Sequence, residues 1–192
     1  MQKHPYRAII FDLYGVLALN GWQAFKARHF RDRPEVWDEI YDVGKQVDAG
    51  LAEYKDFIQM AAERSGESEA TVRYQLEHTA PNEELLAYIA DELLGKYKLG
   101  ILSNAGRDHV LEEIFTKQQR EYFDVITLSH HFGLTKPDTR IYEATASLLE
   151  LNTNQCVFVD DQERHVSGAK EAGMLGIVFT GVANLQQELA RL

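Results

Sequence analysis

The stretch Ile9-Ile10-Phe11-Asp12-Leu13-Tyr14-Gly15-Val16-Leu17 constrains the fold more than any other part of the chain. Three apolar residues run directly into Asp12, and Gly15 follows three positions later. A short apolar run of this kind reads as a strand buried in a parallel sheet. A glycine soon after it permits a sharp turn. Asp12 then stands at the C-terminal end of the strand, the edge at which open α/β sheets bind ligands. A carboxylate placed there acts as a nucleophile, a metal ligand or both. Tyr14 occupies the position two places later, where a second acid is expected.

Four more short apolar runs read as strands, at residues 99–102, 125–128, 157–159 and 177–179, in addition to 8–11. Helical spacing of apolar residues appears at 83–94, 141–149, 166–172 and 185–192. Strands alternating with helices predict an α/β fold with a doubly wound, Rossmann-like parallel sheet. From Trp22 to His78 the pattern holds only amphipathic helical stretches, including 36–47, 54–62 and one introduced by Ser68. That is too much helix for one crossover, so it reads as an inserted all-helical cap over the sheet edge. At 192 residues the chain is long enough for one core plus such a lobe.

The formal net charge is −10, and no basic stripe is present. This argues against nucleic acid and anionic membranes as partners, because both need Lys and Arg to neutralise phosphates. A locally positive pocket for a small phosphorylated metabolite is not excluded by it. The single cysteine, Cys156, lies in an apolar run and reads as a small buried hydrophobe. With no disulfide framework, no apolar signal core and no run of membrane-spanning length, a cytoplasmic location is expected.

Four chemically rich spots fall at predicted strand ends. Asp12 ends the first strand, Ser103-Asn104 the second, Lys136-Pro137 follows the third, and Asp160-Asp161 ends the fourth. Pro137 is suited to the first position of the next helix. In a parallel sheet these ends converge on one crevice. Three carboxylates there repel one another unless a cation intervenes. Oxygen-only ligands favour a hard cation, and Mg²⁺ in particular because it needs few protein ligands. The serine hydroxyl, turn amides and Lys136 suit the oxygens of a phosphoryl group, so metal-assisted phosphoryl transfer to an aspartate accounts for all the parts.

These motifs resemble the haloacid dehalogenase-like hydrolase superfamily, most of whose members are phosphatases. The resemblance covers nearly the whole chain: 11–17 as the first motif, Leu102-Ser103-Asn104 as the second, Lys136-Pro137-Asp138 with Ile141-Tyr142 as the third, and Phe158-Val159-Asp160-Asp161 with Gly168-Ala169 and Ala172-Gly173 as the fourth. It implies that Asp12 becomes phosphorylated. It further implies that Ser103, Asn104 and Lys136 bind the phosphoryl group, with Lys136 also steadying Asp12. Asp161 is implied as a Mg²⁺ ligand together with Asp12 and the backbone carbonyl of Tyr14, and Asp160 as a ligand or a partner behind the ligands. It also implies a catalytic core at 1–17 and 81–192 and a helical cap at 18–80.

Tyr14 departs from the family's phosphatases, which carry at this position an aspartate that protonates the leaving oxygen and activates water. General acid–base help is worth roughly 10²–10⁴-fold, so good leaving groups are favoured. Tyrosine here is similar to the metal-independent 2-haloacid dehalogenases of the same superfamily, in whose fourth motif a later acid stands where this chain has His165. Asp160-Asp161 argues for the metal-dependent phosphatase over the dehalogenase. A weakly catalytic binding or regulatory protein is the third reading. Tyr14 is expected to line the pocket, without proton transfer, because an unperturbed phenol titrates near ~10. His130-His131 lack partners at ligand spacing, His165 is expected on a helix surface, and Trp22, Phe25, Trp37 and Tyr41 are expected to pack between cap helices. Arg28 is a weak candidate for anion contact.

Overall fold

Continuous apolar runs place five strands side by side in one sheet. In the computed structural model, which describes residues 6–192, these are β1 (Ala8–Phe11), β2 (Lys98–Ser103), β3 (Val125–Leu128), β4 (Cys156–Asp160) and β5 (Leu175–Val178). Residues 1–5 of the expected core segment 1–17 lie outside the described residues. The order is β3-β2-β1-β4-β5 and every pairing is parallel. β1 is central: Ile10 is registered against Gly100 on one side and Phe158 on the other. The chain builds outward from β1 to β2 and β3, then returns to add β4 and β5 on the opposite flank. The direction of winding therefore reverses at β1, which opens a crevice at its C-terminal end.

Side chains alternate across a strand with a period of two, so β1 feeds two cores. Ile9 and Phe11 pack into one cluster with Leu85, Ile89 and Leu185, while Ala8 and Ile10 pack into the other with Ile141, Tyr142 and Ala169. The covering helices are α5 (Glu83–Tyr88), α6 (Val110–Ile114), α7 (Lys117–Arg120), α8 (Thr139–Leu148), α9 (Glu163–Glu171) and α10 (Val182–Leu189). The other helices, α1 (Gly21–His29), α2 (Pro34–Asp48), α3 (Tyr54–Ser65) and α4 (Glu69–Glu77), form the inserted helical lobe. They enclose their own core, which includes Phe25, Trp37, Ile40, Phe57 and Val72. Asn20 and Ser68 begin α1 and α4 by accepting backbone hydrogen bonds from Gln23 and Thr71. The paths into and out of this lobe run side by side, with Leu19 N donating to Ala80 O at 2.9 Å and Asn82 Nδ2 to Val16 O at 2.9 Å.

Some details differ from the sequence pattern for local physical reasons. The helix expected over 83–94 stops as an α-helix at Tyr88 and continues as a π turn, Ile89–Leu93. β5 begins two residues before the expected 177–179, because the strand runs through Gly176, where a Cβ would stand 2.7 Å from Val166 Cγ1. Pro137 does not open α8. Asp138 is the N-cap, its side chain accepting from Arg140 N, and Pro137 precedes it through a cis Lys136–Pro137 bond. The short helices α6 and α7 carry too few turns for a periodic signal.

Gly168 of α9 lies directly against Pro137, and an added Cβ would meet the Pro137 backbone. Gly168→Ala is therefore expected to destabilise the fold by about 1–3 kcal/mol through overpacking. Urea denaturation monitored by tryptophan fluorescence measures this, and a neutral result would show that the loop carrying Lys136 yields freely.

Candidate active site

Each strand end delivers its side chain to the crevice. Asp12 continues the β1 ladder by donating its backbone N–H to Val159 O at 2.8 Å. Its Oδ1 lies 2.6 Å from Lys136 Nζ, and that ammonium lies 2.7 Å from Asp160 Oδ2. Lys136 is only 3% exposed and Asp160 is fully buried, so one cation is clamped between two carboxyl groups away from water. Asn104 fixes the loop bearing the cation: its Oδ1 accepts from Lys136 N at 2.8 Å and its Nδ2 donates to Lys136 O at 3.1 Å. Expected to bind substrate, Asn104 thus grips the Lys136 backbone while also lining the cleft. Ser103 Oγ is buried, lines the same cleft as Asp12 and has no hydrogen-bond partner among the described residues.

His165 corrects an expectation. It is not on a helix surface but buried, with Nδ1 3.1–3.2 Å from both oxygens of Asp160. The first turn of α9, which follows β4, carries the ring back toward Asp160, whose Oδ1 also accepts from Gln162 N at 2.8 Å. Burial holds the imidazole below its ordinary value against the pull of Asp160. The neutral ring donates from Nδ1 to the carboxylate, and among the described residues Nε2 is left without a partner.

The charges do not balance. Burial pushes Asp160 upward, but Lys136 and His165 outweigh it and hold the carboxyl well below the usual range. Asp12 shares the same ammonium and ends up raised: burial and the Asp160 charge overcome the attraction of Lys136. Asp161 is raised too, by burial and then by Asp160, and its Oδ1 is buried without a partner. The Asp161 carboxylate lies on Gly15, where φ is +92° and a Cβ would collide with it. Three carboxyl groups thus face one ammonium, with an unsatisfied oxygen on Asp161. This hard-oxygen set fits a divalent cation of the Mg²⁺ type. Asp160 is already occupied by Lys136, His165 and Gln162, which leaves Asp12 and Asp161 better placed than Asp160 to serve as ligands.

Above these residues a cleft of about 480 Å³ opens between the core and the helical lobe. Its walls include Trp22, Trp37, Tyr41, Lys26, Lys45 and Arg164. Three of the four aromatic residues expected to serve packing therefore also face the cleft. Phe25 is buried in the lobe's core, and Arg28 is not among the lining residues. Arg164 of α9 donates to the Tyr41 hydroxyl of α2 at 2.7 Å, joining the two walls. Tyr14 lines the cleft as expected and packs in part against the core, where burial pushes its phenol above its ordinary value despite nearby Arg107. It stays protonated at neutral pH.

Sequence reasoning missed two groups. Asp48, at the end of α2, lines the cleft with Asp12, Ser103 and Lys136, and burial pushes its carboxyl up to about 8, with Lys136 opposing and Asp12 adding to the shift. Its lobe shows no strand-end signal, so the pattern that located the other acids was blind to it. Asp108 is the second: its Oδ1 lies 3.0 Å from His130 Nε2 and 2.5 Å from His131 Nε2, giving the two histidines a partner from another loop.

A sequence profile described as "haloacid dehalogenase-like hydrolase" matches residues 6–173, and the chain belongs to this family. Among curated relatives, Phosphatase MT3486 of Mycobacterium tuberculosis is 45% identical over 51 residues, 27% of this chain and 24% of that protein. Bifunctional epoxide hydrolase 2 of Sus scrofa is 30% identical over 73 residues, 38% of this chain and 13% of that protein. The chain thus matches about a quarter or less of each relative's length. A HAD family enzyme from Bacteroides thetaiotaomicron, solved as a magnesium complex, superposes with a TM-score of 0.72 at 22% identity, covering 92% of this chain and 94% of that one. The L-2-haloacid dehalogenase of Xanthobacter autotrophicus superposes at 0.66 with 20% identity, covering 97% and 83%. These structural likenesses concern the fold. No helix among the described residues is long and apolar enough to cross a membrane.

Lys136→Met leaves Asp12 and Asp160 buried without their cation, a loss expected to cost about 3–5 kcal/mol at neutral pH. The sign with pH follows from linkage. In the wild type the depressed Asp160 contributes stability that is present above its unfolded value and lost on acidification. In the variant Asp12, already raised, rises further and Asp160 rises above its unfolded value, so stability falls as pH increases. The deficit should therefore be larger at pH 8 than at pH 5 in chelator-containing buffer. Equal deficits in urea titrations at the two pH values would contradict this account.

Proposed function

We propose that the protein is a Mg²⁺-dependent phosphatase of small phosphorylated metabolites, working through an aspartyl-phosphate on Asp12. The observation that carries this reading is the Asp12–Lys136–Asp160 ion cluster, flanked by the unsatisfied Ser103 Oγ and Asp161 Oδ1 at the sheet edge. The match to haloacid dehalogenase-like hydrolases and the phosphatase name of one relative support it. A Bacteroides thetaiotaomicron HAD family enzyme of the same fold was solved with magnesium and inorganic phosphate, at a TM-score of 0.70 and 22% identity, over 90% of this chain and 93% of that one. We place the catalytic core at 1–17 and 81–192, the cap at 18–80, and the protein in the cytoplasm, where the lone buried Cys156 suits a reducing compartment.

In this mechanism Asp12 Oδ attacks phosphorus and the bond to the leaving oxygen breaks. Water then attacks phosphorus, the Asp12–phosphoryl bond breaks, and inorganic phosphate departs. Lys136 orients Asp12 and neutralises phosphoryl oxygens, while Ser103 Oγ and Asn104 are placed to donate to them. Asp160 and His165 hold Lys136 at its post. Asp12, Asp161 and the Tyr14 carbonyl would hold Mg²⁺, with Asp160 behind them, and the ion supplies charge neutralisation for the phosphoryl group. Tyr14 favours the dehalogenase reading, but the retained Asp160-Asp161 pair weighs against it.

Hydrolysis of 4-nitrophenyl phosphate is expected to require Mg²⁺, to stop on chelation, and to fall to background in Asp12→Asn. Metal-independent turnover, or full activity in that variant, would overturn the reading. Halide release from 2-chloropropionate without metal would replace it with the dehalogenase.

A further inference from the structure

Two places after Asp12, where the family's phosphatases carry an acid, stands Tyr14, a half-buried residue of the cleft wall whose phenol is pushed above its ordinary value by burial. We propose that Asp48, delivered from the helical lobe at the end of α2, performs the proton transfer for the phosphatase reaction, on which this inference rests. Three contacts hold Asp48 in place. Ser129 Oγ donates to the Asp48 carbonyl, and the same Oγ accepts from Ala105 N at 3.1 Å, so this point of the lobe is tied to the loops after β2 and β3. Val47 packs against Gly106 of the β2 loop, where a Cβ would lie 2.8 Å from Val47 O. Gly50, just beyond, lies over His130, with a built Cβ 3.1 Å from its carbonyl.

The Asp48 backbone is thus anchored while its carboxyl group remains uncommitted. Among the described residues no hydrogen bond or ion pair engages its carboxyl oxygens, although it lines the cleft with Asp12, Ser103 and Lys136. Asp38, the other acid of the lobe on the cleft wall, is exposed and lies ten residues before Asp48 on α2. The enclosure that keeps the Asp48 carboxyl protonated at neutral pH suits a proton donor. In the first step Asp12 Oδ bonds to phosphorus, the phosphorus–oxygen bond of the ester breaks, and the Asp48 proton passes to the departing alkoxide. In the second, the Asp48 carboxylate takes a proton from the water that attacks the aspartyl-phosphate. Both Asp48 and Asp12 are then regenerated, with alcohol and inorganic phosphate as products.

The test compares wild type with Asp48→Asn across a series of phosphate monoesters whose leaving groups range from alkyl alcohols to 4-nitrophenol. If Asp48 supplies the proton, the variant loses about 10²–10⁴-fold in kcat/KM on alkyl esters. It loses less than tenfold on 4-nitrophenyl phosphate, which releases a nitrophenol burst near one equivalent before slow turnover. An equal loss across the series, or no loss, overturns the proposal. A second substitution guards against misfolding of Asp48→Asn. Asp48→Glu, which keeps a carboxyl group at the end of α2, is expected to recover more than tenfold of the alkyl-ester kcat/KM that Asp48→Asn loses. Recovery below tenfold, with 4-nitrophenyl phosphate activity retained, overturns the proposal. If wild type hydrolyses none of the esters with Mg²⁺, the phosphatase reading itself fails, an outcome distinct from both.

Discussion

The structure depends on one buried ammonium. Lys136 Nζ bridges Asp12 at 2.6 Å and Asp160 at 2.7 Å, and in doing so joins the ends of β1 and β4 to the loop after β3. A lone ion buried this deeply would be strongly disfavoured. Its position is tolerable because both carboxylates, the Asn104 clamp on its backbone and the close seat of Gly168 on Pro137 all converge on the same loop. Replacing such a cluster with apolar residues of equal volume is often neutral or stabilising. Stability alone therefore gives no reason to keep it. What it supplies is a fixed, water-excluded electrostatic pattern around Asp12, the condition under which phosphoryl transfer proceeds through positioning and charge.

Much of this was legible in the sequence, for a physical reason. In an all-parallel sheet covered on both faces the strands are continuous apolar runs, so β1 and β3 stand out at 8–11 and 125–128 with no ambiguity. Polar residues that directly follow such runs must emerge at one edge. That is why Asp12, Ser103, Lys136 and Asp160 came together as expected. The same logic failed where burial arises from tertiary packing. His165 has the sequence context of a solvated helix start, yet the first turn of α9 carries its ring onto Asp160. Gly176 conceals a strand because its lack of a side chain is what admits Val166.

Asp48 was illegible for a deeper reason. Its place follows from how two separately packed cores meet, and periodicity describes each helix only relative to its own core. Helical spacing marks the face of α2 that turns inward through Trp37, Ile40 and Val47. It carries no information about which end of the helix reaches the sheet. Only the close approach of Gly106 to Val47 and the bond from Ser129 to the Asp48 carbonyl decide that.

The lobe therefore does more than roof the cleft. A core that lacks an acid beside its nucleophile leaves protonation to whatever closes over it, and chemistry then becomes coupled to closure. The Arg164–Tyr41 bond at 2.7 Å joins the same two walls, so the lobe that carries Asp48 is tied to the core from both α9 and the loops after β2 and β3. Exclusion of water strengthens the interactions of the Lys136 cluster and raises Asp12, Asp48 and Asp161, while Asp160 stays low. In this arrangement the same contacts of α2 with the loops after β2 and β3 help enclose the cleft over the nucleophile and present the group that serves its leaving oxygen. An acid carried on β1 itself would be positioned by the sheet alone. On α2 its position depends on how the lobe is seated, so proton transfer and the packing of the two cores become one requirement.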